Sequence, residues 1–302
     1  MNKYYKKWFW ALVLPSLLLF ILVILVPFLL GIFYSFTGYK GTFFLKDRVA
    51  TDNPFQAMVG LENYEKAFNN ESFQHAFLYT VKFTIIAVVV INLLALILAI
   101  LITNIKGLAN LFKTIFFMPN LLGGLALGFI WQFIFEVIFT KFFFGKDGLV
   151  PIDFLTNMTQ GPIKPLFALV ILVAWQMTGY MMIIFITGLN NIPEELYEAA
   201  EIDGAGAFRK FKDITLPMLM PSITIVFFLT LANCFKLLDQ NVALTNGAFN
   251  TRLLALQILK TPSDYLIPDY GQAQAQAVIF FIVIALITLL QVYFTKKKEV
   301  EM

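Results

Sequence analysis

The feature that most constrains the fold is a set of six long uncharged runs, near residues 8–36, 83–105, 114–135, 165–190, 214–236 and 270–295. Each is longer than the roughly 18 apolar residues that read as a transmembrane helix in a hydrocarbon core about 30 Å thick. A backbone in lipid must satisfy its own hydrogen bonds, so each run is expected to be helical, and the period-two alternation of barrel strands is absent. Only 14% of the residues are charged, where a soluble domain carries about a quarter. The expected fold class is all-α integral membrane: a single domain over residues 1–302, with no linker dividing it.

Lysine and arginine set the orientation. With six spans both termini share a side. If that side is the cytoplasm, the short inner segments hold Lys3, Lys6, Lys7, Lys106, Lys113, Arg209, Lys210, Lys212, Lys296, Lys297 and Lys298. The outer segments, about 37–82, 136–164 and 236–269, are longer in total but carry about as many basic residues. Basic density therefore places both termini in the cytoplasm. The first run is too long for a signal peptide's apolar core of roughly 7–15 residues and is read as a retained span. The net charge of +3 is small and gives no reason to expect nucleic acid. One cysteine, Cys234, and one histidine, His75, exclude an internal disulfide and argue against a Cys/His metal site.

Between the fourth and fifth runs lies a loop with helix punctuation, expected over about 193–204. Pro193 suits a first helical position. Glu194 and Glu195 sit where the helix dipole favours acid, and Gly204 suits the left-handed residue past the end. Glu194, Glu195, Glu198, Glu201 and Asp203 make the segment acidic, so anionic headgroups would repel it and a protein partner fits better than a lipid surface.

The spacing Glu198-Ala199-Ala200, three residues, Gly204, nine residues, Ile214-x-Leu216-Pro217 resembles the signature of permease subunits of ABC importers. Further segments resemble its carbohydrate (maltose-type) branch, the larger-partner type. These are Ser35-Phe36-Thr37, Val59-Gly60-Leu61-Glu62-Asn63-Tyr64, Phe116-Phe117-Met118-Pro119-Asn120 with Gly128-Phe129-Ile130-Trp131, and Phe235-Lys236-Leu237-Leu238-Asp239 followed by Leu244-Thr245-Asn246-Gly247. The chain departs from the family at Ala248-Phe249, where Gly-Gly-Pro is usual after such a segment. The resemblance implies the transmembrane domain of a type I ABC importer. It implies a coupling helix that docks on a cytoplasmic ATPase through Glu198, Ala199, Ala200, Asp203 and Gly204. It also implies a second homologous permease subunit, an ATPase dimer holding ATP and Mg, a separate solute-binding protein, a sugar substrate and a bacterial cell membrane.

Polar groups within spans are expensive and are functional candidates. Asn233, Lys236 and Asp239 or Gln240 recur at helical spacing near the outer end of the fifth run. There they form either a hydroxyl-binding wall of the path or, for Lys236 with Asp239, an ion pair anchoring a helix end. Gln176 and Tyr180 lie one turn apart on the fourth run, and Gln132 and Glu136 on the third. Asn92 stands alone and reads equally as a helix-packing hydrogen bond. Trp175, Tyr180 and Phe235 are candidate aromatic faces for a sugar.

A phosphate-cradling loop needs Gly-x4-Gly-Lys-Ser/Thr. The only Gly-Lys pair is Gly145-Lys146, outside that context, so catalysis is not expected in this subunit and no cofactor is expected to bind it. An importer permease for another small solute shares the loop motif but not the third- and fifth-run segments. An ion-coupled transporter requires intramembrane carboxylates, which the runs nearly lack.

Overall fold

The computed structural model describes residues 3–297 apart from 48, 106 and 147. Lys106 and Lys298, used above for orientation, lie outside the described residues. Among the described residues five helices are long and apolar enough to cross a membrane: Trp8–Ser35, Glu71–Thr103, Gly124–Phe143, Lys164–Asn190 and Tyr270–Lys296. A sixth span is a helix pair, Ala207–Met218 and Met220–Phe235, bent by 67°.

Four boundaries differ from the sequence expectation, each for a local reason. The second span starts at Glu71 rather than near 83. Lys82 lies on its exposed side, where its charge can reach water. The Asn70 Oδ1 accepts the Phe73 N–H at 2.8 Å and caps the earlier start.

The third run, 114–135, is not one helix. A helix over Ala109–Phe117 tightens into a 3-10 turn over Met118–Leu121, and a new helix starts at Gly124. Pro119 cannot donate to the ladder, and Gly123 with φ −63° and ψ 142° leaves it. The helix then runs past Glu136 to Phe143 in wide π geometry. Glu136 accepts the Thr159 hydroxyl at 2.9 Å, so its charge does not end the helix.

The fifth run bends at Leu219, between Pro217 and Pro221, each of which lacks the N–H of a straight helix. It ends at Phe235. The loop helix is Glu194–Ile202, with Pro193 as its N-cap rather than its first turn.

The chain packs as two units, one of Met1–Gln74 with Gln257–Ile282, the other of His75–Leu256 with Val283–Met302. In the first, a three-stranded antiparallel sheet joins β1 Tyr39–Lys40, β2 Phe43–Lys46 and β3 Val49–Thr51, with Tyr39 opposite Phe44 and Phe44 opposite Thr51. Two of the family-like segments lock together there. The buried Asn63 side chain donates to the carbonyls of Ser35 and Thr37 at 2.9 and 2.8 Å, and Tyr64 Oη meets Ser35 Oγ at 2.6 Å. Lys40 pairs with Asp269 at 2.9 Å, the carboxylate being buried.

In the second unit the fourth span is the centre, with 72% of its most apolar window buried. Small residues let backbones approach it, as is usual where no hydrophobic force separates helix from lipid. A Cβ at Gly179 would fall on the Phe116 carbonyl, and one at Gly188 on Ser222. Asn92 donates to Thr230 Oγ1 at 3.0 Å, which makes it the packing bond between spans that its isolation suggested.

Candidate functional site

A cavity of about 380 Å³ opens within the second unit, lined by Asn120, Gln176, Met177, Tyr180, Asn233, Lys236, Leu237, Leu238, Asp239 and Gln240. Three breaks in regular structure build it. The 3-10 turn Met118–Leu121 supplies Asn120. The fifth span's exit supplies Asn233 and Lys236, and the short helix Asp239–Leu244 supplies Asp239 and Gln240. The fourth span, unbroken, supplies Gln176 and Tyr180. Unwound backbone at membrane depth is tolerated only where it is buried or lines such a cavity. Here Gln176 Nε2 donates to the freed Leu122 carbonyl at 3.3 Å, and Gln240 Nε2 donates to Gln176 Oε1 at 2.7 Å. This amide relay ties three elements across the cavity floor. Glycines set the depth: a Cβ at Gly124 would lie 2.8 Å from the Asp239 Cβ, and one at Gly128 2.5 Å from the Ala243 Cβ.

Six of the seven residues expected on the path therefore converge, but not for the reason given by spacing. Asn233, Lys236, Asp239 and Gln240 do not share one helical face, because the helix stops at Phe235 and a new one starts at Asp239. A turn brings them together instead. Among the described residues Lys236 and Asp239 form no ion pair, and both are exposed. Gln132 does not line the cavity. Nor do Trp175, which packs edge-on to Trp131 at 5.7 Å, and Phe235, which is buried. Tyr180 is the one aromatic of the three at the wall. Asn120, named above only within a family-like segment and not among the path residues, also lines the cavity; a Pro-Asn pair inside an apolar run is the signal that points to it.

The loop helix Glu194–Ile202 is exposed on most sides, including Ile202 at 87%. Its end is a Schellman motif: the Ala205 N–H donates to the Ala200 carbonyl at 2.8 Å and the Gly204 N–H to the Glu201 carbonyl at 3.0 Å. Gly204 has φ +75°, the left-handed backbone that favours glycine. Glu198 and Asp203 point to solvent, with no ion pair or side-chain hydrogen bond among the described residues.

Lys210 Nζ donates to Glu201 Oε1 at 2.6 Å, and this hydrogen bond with its positive charge holds the Glu201 carboxyl below the usual carboxylate range. The folded value is depressed, so the pair's contribution is present above the unfolded carboxylate pKa and fades as pH falls through the lower folded value. Prediction: in Lys210→Met the Glu201 carboxyl, followed by carbon-13 NMR, titrates at higher pH than in the unmodified chain. An unchanged titration would remove the pair as its cause.

The descriptive model of the binding-protein-dependent transport system inner membrane component matches residues 95–300, and the chain belongs to that family. It is 38% identical over 304 residues to the probable starch degradation products transport system permease protein AmyD of Thermoanaerobacterium thermosulfurigenes, covering 99% of this chain and 98% of the relative. It is 32% identical to the multiple sugar-binding transport system permease protein MsmF of Streptococcus mutans, at the same coverage of both chains. Its fold is that of a chain in a solved bacterial ABC transporter involved in import of the acidic polysaccharide alginate, with TM-score 0.78, 19% identity and 98% of each chain covered.

Proposed function

We propose that this chain is the membrane-spanning permease subunit of an ATP-driven importer for sugars. It lies in a bacterial cell membrane with both termini in the cytoplasm. The observation that carries the reading is the cavity: four neutral amides from Asn120, Gln176, Asn233 and Gln240, with Lys236 and Asp239 of opposite charge, beside the Tyr180 ring. Amides offer donors and acceptors in fixed places, which suits a solute rich in hydroxyls, and an aromatic face covers the apolar side of a sugar ring. The relatives' names, covering starch products and multiple sugars, support the same substrate class.

The chain carries the path and no nucleotide site. ATP and Mg belong to a cytoplasmic ATPase dimer that grips Glu194–Ile202. A second homologous permease completes the path, and a separate binding protein delivers the sugar. Free energy reaches the cavity only through contacts that differ between two states of the assembly.

The test is the full complex in proteoliposomes with labelled oligosaccharide. Uptake is expected only with ATP inside the compartment that holds the ATPase. Asn233→Leu and Gln240→Leu should each raise the KM for sugar about three- to tenfold, the size of one hydrogen bond. Uptake without ATP, or ATP-driven uptake of a solute other than sugar with none of sugar, would overturn the reading.

A further inference from the structure

The Glu194–Ile202 helix is tied to the fifth span at two points, through Tyr197, just before the Glu198–Pro217 signature, and through Glu201, Lys210 and Thr215, at positions that signature leaves unspecified. Tyr197 and Glu201 are four residues apart and share one face of that helix. Their partners, Thr215 and Lys210, are five residues apart in the next segment. In an α-helix that spacing would separate two side chains by about 140°. Here Phe211–Thr215 is a π turn, wider by one residue, so a five-residue step returns near its starting side. The two partners therefore face the loop helix together.

The contacts are specific. Tyr197 Oη lies 2.8 Å from Thr215 Oγ1, and Thr215 Oγ1 lies 3.4 Å from the Lys210 carbonyl that accepts from it. Either hydroxyl of the Tyr197–Thr215 pair can donate. Thr215 is buried, with 7% of its surface exposed. Lys210 reaches back to Glu201 at 2.6 Å, the lysine side chain being 22% and the glutamate 66% exposed.

We propose that Tyr197–Thr215 and Glu201–Lys210 form a two-point strap, and that these four are positioning residues for energy coupling. The inference rests on the importer reading above. The strap makes the loop helix and the residues 207–218 half-span one lever. Beyond it the chain bends by 67° at Leu219 and runs through Met220–Phe235 to Asn233 and Lys236 at the cavity. A displacement imposed on the loop helix then moves the half-span with it. Apart from the strap, the covalent turn Asp203–Gly206 joins the two, and its Gly204 and Gly206 allow swivel.

The experiment measures sugar molecules imported per ATP hydrolysed by the assembled complex in proteoliposomes. The variants are Tyr197→Phe, Lys210→Gln, their double, and the charge exchange Glu201→Lys with Lys210→Glu. Each single change is expected to lower the transport ratio about threefold and the double about tenfold. ATP hydrolysis and co-purification with the ATPase should be retained in Lys210→Gln, which lies outside the Glu194–Ile202 helix that the ATPase grips. The charge exchange should restore the ratio relative to Lys210→Gln. A merely structural role would lower assembly and leave the ratio of surviving complexes unchanged; that result overturns the proposal, as does a double variant coupled like the unmodified complex. If the unmodified complex imports sugar without ATP, the importer reading fails first and is identified as the failure.

Discussion

Gly204→Val is expected to lower ATP-driven uptake about tenfold to a hundredfold while the subunit remains in the membrane. Gly204 holds φ +75°, where a β-branched residue is strained by roughly 1–2 kcal/mol or more. The strain is relieved only by giving up the Schellman closure, and with it the two hydrogen bonds to the Ala200 and Glu201 carbonyls. Those bonds add about 0.5–1.5 kcal/mol each. The chain either keeps the strain or loses the bonds, so the cost is about 1–3 kcal/mol, a loss of about tenfold to a hundredfold. Nothing lies within 4 Å of an added Cβ at this glycine, so the cost is backbone conformation and not a clash, and Gly204→Asn should retain more uptake than Gly204→Val. Glu198→Lys tests the same surface from the side chain. Glu198 is exposed and supports nothing else within the described chain, so reversing its charge leaves the fold intact. Normal ATP-driven uptake by both Gly204→Val and Glu198→Lys, measured beside protein level in the membrane, would end the coupling assignment.

The legible part of this fold is what periodicity and charge report directly. Uncharged runs gave the fourth and sixth spans almost to the residue, because Lys164 and Lys296 end them. The start of the second span was hidden by Lys82, since a long cation can leave its backbone in a helix while its charge reaches water. Breaks inside runs were harder. Pro119 with Gly123, and Pro217 with Pro221, are visible as letters, but whether a proline kinks, tightens or merely starts a helix depends on what its neighbours bury. The cavity depends on those breaks, so its residues were legible as polar types in apolar runs while their arrangement was not. Gln132 satisfied the same criterion and does not line the cavity. At the loop helix, Gly204 was found by its position alone, whereas the Tyr197–Thr215 bond requires a π turn that no residue type announces.

Gly179→Leu should remove most of the folded subunit, lowering its level in the membrane at least tenfold. The fourth span is the centre of its unit, and at Gly179 it meets backbone rather than side chain. An added Cβ would fall on the Phe116 carbonyl oxygen, with the Phe117 nitrogen 2.8 Å away. A flexible side chain could rotate aside, but this carbonyl belongs to the end of the Ala109–Phe117 helix, just before the turn that carries Asn120 to the cavity. Relief therefore means moving two spans apart. Overpacking a core costs typically 1–3 kcal/mol even where side chains can yield, and the whole stability of a domain is about 5–15 kcal/mol. Gly179→Ala should show an intermediate loss, with a lowered Tm and reduced uptake from what remains, because Asn120 shifts away from Gln176. Gly123→Ala is the control. It sits at the same break, at ordinary φ −63°, and an added Cβ there meets nothing within 4 Å, so its Tm should match the unmodified chain. Thermal unfolding of the three variants in detergent separates the cases. Equal Tm values for Gly179→Leu and Gly123→Ala would mean that the close approach of the fourth span to the Phe116 backbone does not hold this unit together.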